Sequence, residues 1–151
     1  MSTAPVDDEG PAHIVVGVDG SDSSARALRW AAQEARLRGA RLEVVHAWQF
    51  PSVGLPGVSP PYPDEMFAPA ARAVVDHAVA GLGAGRVEAG IDRRAVKGHP
   101  SAVLVEASED AALLVVGSHG HGGVAGTLLG SVSRRVAHHA RCPVVIVPDP
   151  K

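Results

Sequence analysis

The chain alternates short apolar runs with longer segments in which apolar positions recur every three or four residues. Near-continuous runs rich in Val and Ile, bounded by Gly, Pro or Asp, are typical of strands covered on both faces of a parallel sheet. Four such runs are HIVVGV (13–18), RLEVVHAW (41–48), LLVVG (113–117) and PVVIV (143–147). A fifth run, DRRAVKG (92–98), is half polar and fits an exposed edge strand.

Between the runs lie segments with the one-sided apolar spacing of amphipathic helices. The predicted helices span residues 22–38, 69–84, 101–110 and 131–140. Ser21 or Asp22 is a candidate cap for the start of the first helix, and Gly39 follows its end. Ser101 is the candidate cap of the third helix. The segment 50–63 contains five prolines, which predicts a loop.

Strands that alternate with helices predict an α/β fold: an open, mostly parallel, twisted sheet of five strands with helices on both faces. A length of 151 residues fits one domain. We place that domain at residues 13–148, after a disordered lead-in at residues 1–12. In such sheets ligands bind beyond the carboxyl ends of the strands, at the point where the strand order reverses.

Charge and composition narrow the function classes. The chain has 14 basic and 16 acidic residues, a formal net charge of −2, which argues against a nucleic-acid binder. No apolar run approaches the ~18 residues that span a bilayer, so we expect no membrane association. The N-terminus lacks the charged-then-apolar order of a signal peptide, and the single cysteine, Cys142, fits a reducing compartment. We therefore expect a cytoplasmic protein.

Candidate chemistry concentrates in the stretch GSHGHGGVAGTLLGSVS at 117–133, which contains no Lys, Arg or carboxylate. Its glycines let the backbone approach a ligand closely. It ends where the fourth predicted helix starts, so the amides of Ser131, Val132 and Ser133 lack partners within the helix, and the helix dipole favours an anion. The hydroxyls of Ser131 and Ser133 are further donors. This arrangement favours phosphate binding over a merely flexible loop.

Other site chemistries find less support in the sequence. The stretch is not a Walker loop, which needs GxxxxGK[ST], and its glycine spacing is not that of the dinucleotide fingerprint. His119 and His121 have the spacing of a metal pair, but no carboxylate or Cys is near them in sequence. Ser118, His119 and Asp19 suggest a catalytic triad. However, no GxSxG elbow is present, and an adjacent Ser and His cannot easily present nucleophile and base to each other.

The pattern Gly117-x2-Gly120-x9-Gly130-Ser131 matches the nucleotide-binding pattern G-x2-G-x9-G-[S/T] of the universal stress protein family. The chain also resembles that family in IVVGVDGS-x3-ARALRWAA, in VVHAW and in GHPSAVLVEAS, so the resemblance extends over residues 12–148. It is most similar to the ATP-binding branch. The resemblance implies a Rossmann-like, adenine nucleotide alpha hydrolase-like fold with the strand order 3-2-1-4-5.

The resemblance also implies roles for individual positions in an ATP site. Asp19 would face the ribose or a phosphate-bound Mg²⁺, which makes Mg²⁺ a candidate companion of ATP and Asp19 its candidate ligand. Ala47 would line the adenine pocket through its backbone, and Val116 and Gly117 would flank the sugar and the base. The other residues of the implied site are Gly17, Val18, His119, Gly120, His121 and, around the phosphates, Gly130, Ser131, Val132 and Ser133.

The run PVVIV at 143–147 is fully apolar, although the last strand of such a sheet is an edge strand. An unpaired apolar edge promotes aggregation. Pairing with the same strand of a second copy would cover this edge with two-fold symmetry. The family resemblance implies the same homodimer.

Together these features predict a cytoplasmic, adenine-nucleotide-binding homodimer with a regulatory role in a stress response, whose nucleotide state is read by partners. We do not expect an enzyme, because Asp19 is the one candidate general base and the glycine stretch has no transition-state arginine; slow ATP hydrolysis stays open. His121 stands where many family members have Arg, which would make nucleotide affinity pH-dependent. The alternatives are a nucleotide-free interaction dimer and a cyclic AMP-binding protein.

Overall fold

The computed structural model describes residues 12–50, 56–57, 62–83, 87, 89–121 and 128–150. Within these residues five parallel strands form one sheet in the order β3-β2-β1-β4-β5. The strands are β1 (His13–Gly17), β2 (Arg41–Trp48), β3 (Ile91–Lys97), β4 (Leu113–Gly117) and β5 (Val144–Val147). The predicted α/β fold and the strand order 3-2-1-4-5 are confirmed.

The α-helices are α1 (Asp22–Arg38), α2 (Ala68–Ala80), α3 (Pro100–Ala107) and α4 (Ser131–His139), with a 3-10 turn at Asp64–Met66.

Helix α1 has the predicted bounds because residues adjacent to it in the sequence define both of its ends. The Ser21 hydroxyl caps α1 by accepting from the Ser24 amide at 3.2 Å. Gly39 ends α1 in the left-handed conformation, with φ of 63°.

The other three helices differ from their predicted bounds, although α4 does so by one residue, ending at His139 rather than at residue 140. Helix α2 ends at Ala80 rather than at residue 84, because Gly81 and then Gly83, with φ of 66°, disfavour its continuation. Helix α3 starts at Pro100 and ends at Ala107, and its cap is His99 rather than Ser101. The His99 imidazole Nδ1 accepts from the Ser101 amide at 3.3 Å, a capping role that the sequence pattern did not indicate.

Apolar side chains of the sheet pack against helices on both of its faces. Alternate residues of a strand point to opposite faces, so Ile14 and Val16 belong to the core cluster beneath α1 and α2, while Val15 belongs to the cluster beneath α3 and α4. These three side chains of β1 are fully buried. The strand order reverses between β1 and β4, which places a ligand crevice beyond the carboxyl ends of these strands.

The two edges of the sheet have different chemistry. On β3, the predicted polar edge, Arg93 and Arg94 are exposed and form ion pairs with Asp76 and Glu43. On β5, the opposite edge, the four residues are all apolar and half-buried. Charged residues protect an edge strand from pairing with another chain, so only the β5 edge is chemically suited to such pairing.

Several predictions fall partly outside the described residues. They are the lead-in at 1–12 (apart from Ala12), most of the loop at 50–63, and the glycines at 122, 123 and 126. None of the helices in the described ranges combines the length and apolar character needed to cross a membrane.

Candidate functional site

A cleft opens beyond the carboxyl ends of β1, β2 and β4, beside the start of α4. The predicted site residues that line it are Gly17, Val18, Asp19, Ala47, Val116, Gly117, His119, Gly120, Val132 and Ser133. The lining residues that the sequence analysis missed are Ser24, Val45, Pro100 and Leu104. Of the remaining predicted residues, His121 and Ser131 are chain neighbours of lining residues, and Gly130 lies against the backbone of His119 and Gly120.

Asp19 follows β1 and contacts both the start of α1 and the loop after β4. Its Oδ1 accepts hydrogen bonds from the amide of Ser21, at 2.9 Å, and from the Ser21 hydroxyl; its Oδ2 accepts from the amide of His121 at 3.1 Å. Burial opposes ionisation of this carboxyl, but the hydrogen bonds outweigh burial and hold the pKa of Asp19 below its ordinary value. Asp19 is therefore ionised at neutral pH.

Glycines at the end of β4 are required by close contacts with the segment after β1. A Cβ atom on Gly117 would lie 2.9 Å from the carbonyl carbon and oxygen of Ser23. A Cβ atom on Gly120 would lie 2.5 Å from Oδ2 of Asp19. Bare backbone at both positions lets the loop after β4 pack directly against Ser23 and Asp19, which closes one wall of the cleft.

Among the described residues, no side chain caps helix α4, which begins at the cleft. Gly130 is its N-cap residue, with extended backbone (φ −71°, ψ 168°) and no side chain to accept from the first-turn amides. The Gly130 amide itself donates to the Ser118 carbonyl at 2.7 Å. Val132 and Ser133 line the cleft. First-turn N–H groups and the positive end of the helix dipole are therefore available to an anion there.

The Ser133 hydroxyl has a different role from the predicted one. This side chain is buried, and its Oγ donates to the carbonyl of Gly117 at 2.7 Å, with the carbonyl of Ser118 at 3.2 Å. The hydroxyl thus joins the start of α4 to the end of β4 instead of offering a donor to a ligand. Ser131 is exposed, and the amides of both residues remain as predicted donors.

The two described side-chain partners of His119 lie on one nitrogen of its ring, which is not the arrangement of a catalytic triad. Ser118 Oγ and Asp149 Oδ2 both approach the same ring nitrogen of His119, Nδ1, at 3.2 and 3.1 Å. A triad places the nucleophile and the orienting carboxylate on opposite ring nitrogens. Asp19, the carboxylate considered in the sequence, hydrogen-bonds elsewhere.

Asp149 is a residue beside the site that the sequence analysis missed. It lies two residues beyond β5, and its carboxylate pairs with the guanidinium of Arg26 on α1 and with His119. The Arg26 guanidinium, and secondarily His119, hold the pKa of Asp149 below its ordinary value. These partners lie 123 and 30 positions away in the chain, so no local sequence pattern could have indicated the contact.

The described side chains do not support a metal site formed by the chain alone. The described residues contain no group of three or more His, Cys, Asp or Glu side chains placed to hold a metal ion. Of the described residues lining the cleft, only Asp19 carries a carboxylate. Mg²⁺ is commonly held by one or two carboxylates together with substrate phosphates. Asp19 therefore fits a metal ion that arrives with a ligand's phosphates.

Comparison with known proteins places the chain among universal stress proteins. The family model described as the universal stress protein family matches residues 11–148. Universal stress protein Rv2623 of Mycobacterium tuberculosis is 40% identical over 139 residues, which are 91% of this chain and 46% of that protein. The chain thus spans about half the length of the curated relatives it matches.

Solved structures with the same fold include two nucleotide complexes. A universal stress protein in complex with cAMP is 35% identical, with a TM-score of 0.69 covering 91% of this chain and 97% of that one. The universal stress protein from Archaeoglobus fulgidus in complex with dAMP is 31% identical, with a TM-score of 0.63 covering 89% and 96%. Both of these proteins therefore hold an adenine nucleotide.

Proposed function

The chain belongs to the universal stress protein family, and on that premise we propose that it binds an adenine nucleotide, ATP, in the cleft beyond β1 and β4. The observation that carries the proposal is the uncapped start of α4 at this cleft, beside the glycine loop after β4. Unpaired amides and a helix dipole form a phosphate site without any cationic side chain.

Each part of a nucleotide has a suitable surface in the cleft. The amides of Ser131, Val132 and Ser133 would hold phosphate oxygens. Apolar side chains from β2, α3 and β4 suit the faces of a base: they are Val45, Leu104 and Val116. Asp19 is an acceptor for ribose hydroxyls, or a ligand for Mg²⁺ bound to the phosphates. A metal ion would also relieve the repulsion between this carboxylate and a triphosphate.

Cyclic AMP is the second candidate ligand, favoured by the cAMP complex of a 35% identical relative. Its single phosphate would occupy the start of α4, and its base and ribose would use the same surfaces. The two candidates differ in where charge is placed, since the additional phosphates of ATP would extend along the loop after β4.

The proposed role is regulatory, in a stress response, with partners reading the nucleotide state. Among the described residues lining the cleft there is no arginine to stabilise a phosphoryl-transfer transition state, so we propose a binding protein rather than an enzyme. We further propose a cytoplasmic homodimer, paired through the apolar edge at residues 143–147.

Gly130→Asp tests the proposal at the helix start. A carboxylate at the N-cap position accepts from the N2 or N3 amide, so it would occupy the donors that phosphate needs and would repel the ligand. We expect ATP affinity to fall about 100-fold. The variant should still fold, because Asp is a preferred N-cap residue and a Cβ atom here lies 3.4 Å from its nearest neighbour, the Ser118 carbonyl oxygen.

Gly130→Ala is the matched control, since it adds the same Cβ atom without an acceptor, and we expect it to bind ATP within about threefold of wild type. Isothermal titration with ATP, ADP, AMP and cyclic AMP measures all three proteins. A wild-type protein that binds none of the four ligands would overturn the proposal. If Gly130→Asp binds ATP as tightly as Gly130→Ala does, the phosphates bind away from the start of α4. A tenfold preference for cyclic AMP would replace ATP by the second candidate.

A further inference from the structure

The C-terminal segment that follows β5 connects two elements that form a wall of the cleft. Val147 still belongs to the sheet, where its carbonyl accepts from the Ser118 amide at 3.1 Å. Two residues later, Asp149 accepts a hydrogen bond from Arg26 on α1 and lies 3.1 Å from Nδ1 of His119. His119 lines the cleft in the loop after β4.

We propose that Asp149 is a positioning residue for the ligand: its carboxylate, held by Arg26, fixes His119 and with it the loop wall between Gly117 and Gly120. This inference rests on the proposed nucleotide-binding function and extends it, because it gives the C-terminal segment a role in the site. Asp149 does not line the cleft itself, so it acts on a ligand through His119.

Two segments distant in the chain contact His119, besides the hydroxyl of its neighbour Ser118, which lies 3.2 Å from Nδ1. The Ser23 hydroxyl, at the start of α1, accepts from the His119 amide at 3.4 Å, while Asp149 holds the imidazole ring. The next residue, Gly120, packs against Asp19. The loop is therefore fixed at its backbone by residues after β1 and at its side chain by the C-terminal segment.

The sequence around Asp149 favours a pre-formed contact. Pro148 and Pro150 flank it on both sides. Proline fixes its own φ angle, and a residue before proline is confined to extended conformations. A segment restricted in this way loses less conformational entropy when it docks than a flexible tail does.

Charge compensation explains how a carboxylate can stand near a phosphate site. The Arg26 side chain is 27% exposed, and one of its terminal nitrogens pairs with Asp149, whereas its buried Nε atom has no hydrogen-bond partner among the described residues. This guanidinium cancels the negative charge that would otherwise repel phosphates. Arg26 and Asp149 together hold His119 without adding net charge to the rim of the cleft.

Nucleotide titrations of three variants test the inference. We expect Asp149→Ala to bind ATP about threefold to tenfold more weakly than wild type, the range for losing a charge-assisted hydrogen bond at a partly exposed site. Asp149→Glu, which restores the carboxylate, should recover part of the loss. Asp110→Ala, which removes an exposed carboxylate after α3, is the matched control and should bind as wild type does.

A double-mutant cycle with His119→Ala separates positioning from a general structural effect. If Asp149 acts through His119, Asp149→Ala has little further effect on ATP affinity in the His119→Ala background. The ¹⁵N NMR signals of the His119 ring, recorded without nucleotide, should also shift in Asp149→Ala and not in Asp110→Ala.

Three results would overturn the inference. If wild type binds ATP and Asp149→Ala binds it equally or more tightly, the inference is wrong, and the proposed function is unaffected. If Asp149→Ala weakens ATP binding by the same factor with and without the His119 side chain, Asp149 does not act through that residue. Wild type that binds no adenine nucleotide removes both proposals together.

Discussion

Asp19 joins two segments of the site, accepting from Ser21 and from the His121 amide 102 positions later. Burial raises its pKa, but the hydrogen bonds hold that pKa below the ordinary 3.8. A carboxylate with a depressed folded pKa contributes stability that is fully present above the unfolded value and is lost as pH falls through the folded value. The contribution of Asp19 is therefore complete at neutral pH.

We predict that Asp19→Asn lowers the free energy of unfolding by about 1–3 kcal/mol at neutral pH. The Asn carbonyl oxygen can still accept from Ser21, but its amide group cannot accept from the His121 N–H. The difference from wild type should shrink as pH falls below 3.8 and the wild-type carboxyl protonates.

Urea unfolding at neutral pH and near pH 3 measures this difference, with Asp110→Asn as the control for removing a surface carboxylate. A destabilisation that is equally large at both pH values would show that the charge of Asp19 is not what its partners stabilise.

Residue roles were predictable from the sequence where the partner is close in the chain. Ser21 caps α1 by binding an amide three positions on, and the uncapped amides of α4 follow from the position of Gly130. The Ser133 hydroxyl and the Asp149 carboxylate were not predictable, because their partners lie 16 and 30 or more positions away. Tertiary packing, rather than local pattern, decides what these groups bind.

Among the elements, the presence of strands and helices and their order along the chain followed from periodicity, the strand order in the sheet came from the family resemblance, and most helix ends and the contacts between elements were not predicted. His99 caps α3 because the chain turn before Pro100 brings its ring over the Ser101 amide. Pro100 and Leu104 then enter the cleft because α3 packs against β2 and β1 on one face of the sheet. Which residues of α3 line the cleft therefore depends on the packing of elements that are distant in the chain.

The edge strand β5 has backbone groups that are open to a second copy. The carbonyls of Pro143 and Val147 accept hydrogen bonds from β4, and backbone groups alternate in direction along a strand. The N–H and C=O groups of Val144 and Ile146 therefore point away from β4, towards the open edge. In a two-fold pairing each of these groups would form its hydrogen bond in both copies.

We predict that Ile146→Pro weakens self-association about tenfold or more, because it removes an outward N–H from both copies without breaking the ladder to β4. Ile146→Ala is the matched control: it loses the same side-chain packing and keeps the N–H group. Sedimentation velocity over a concentration series measures the dimer dissociation constant. A monomeric wild type, or equal weakening in both variants, would contradict pairing through this strand.

For the molecule as a whole, the cleft links the two faces of the fold, because its walls come from β1, the loop after β4 and helices on both sides of the sheet. A ligand bound there contacts elements that must separate on unfolding. Its binding energy therefore adds to global stability, by about 2.7 kcal/mol when the free ligand is at 100 times its dissociation constant. For a domain of this size each kcal/mol corresponds to about 2–4 °C in Tm.

We accordingly predict that saturating ATP raises the Tm of wild type and of Gly130→Ala by about 5–11 °C at that ligand ratio. Gly130→Asp should show no such rise at the same ATP concentration, although its Tm without nucleotide stays close to that of wild type, because the new carboxylate caps α4. Differential scanning calorimetry at fixed protein concentration measures these shifts, since self-association would make the Tm depend on concentration. An ATP-dependent rise that is equal in all three proteins would show that the nucleotide stabilises the fold from a site away from the start of α4.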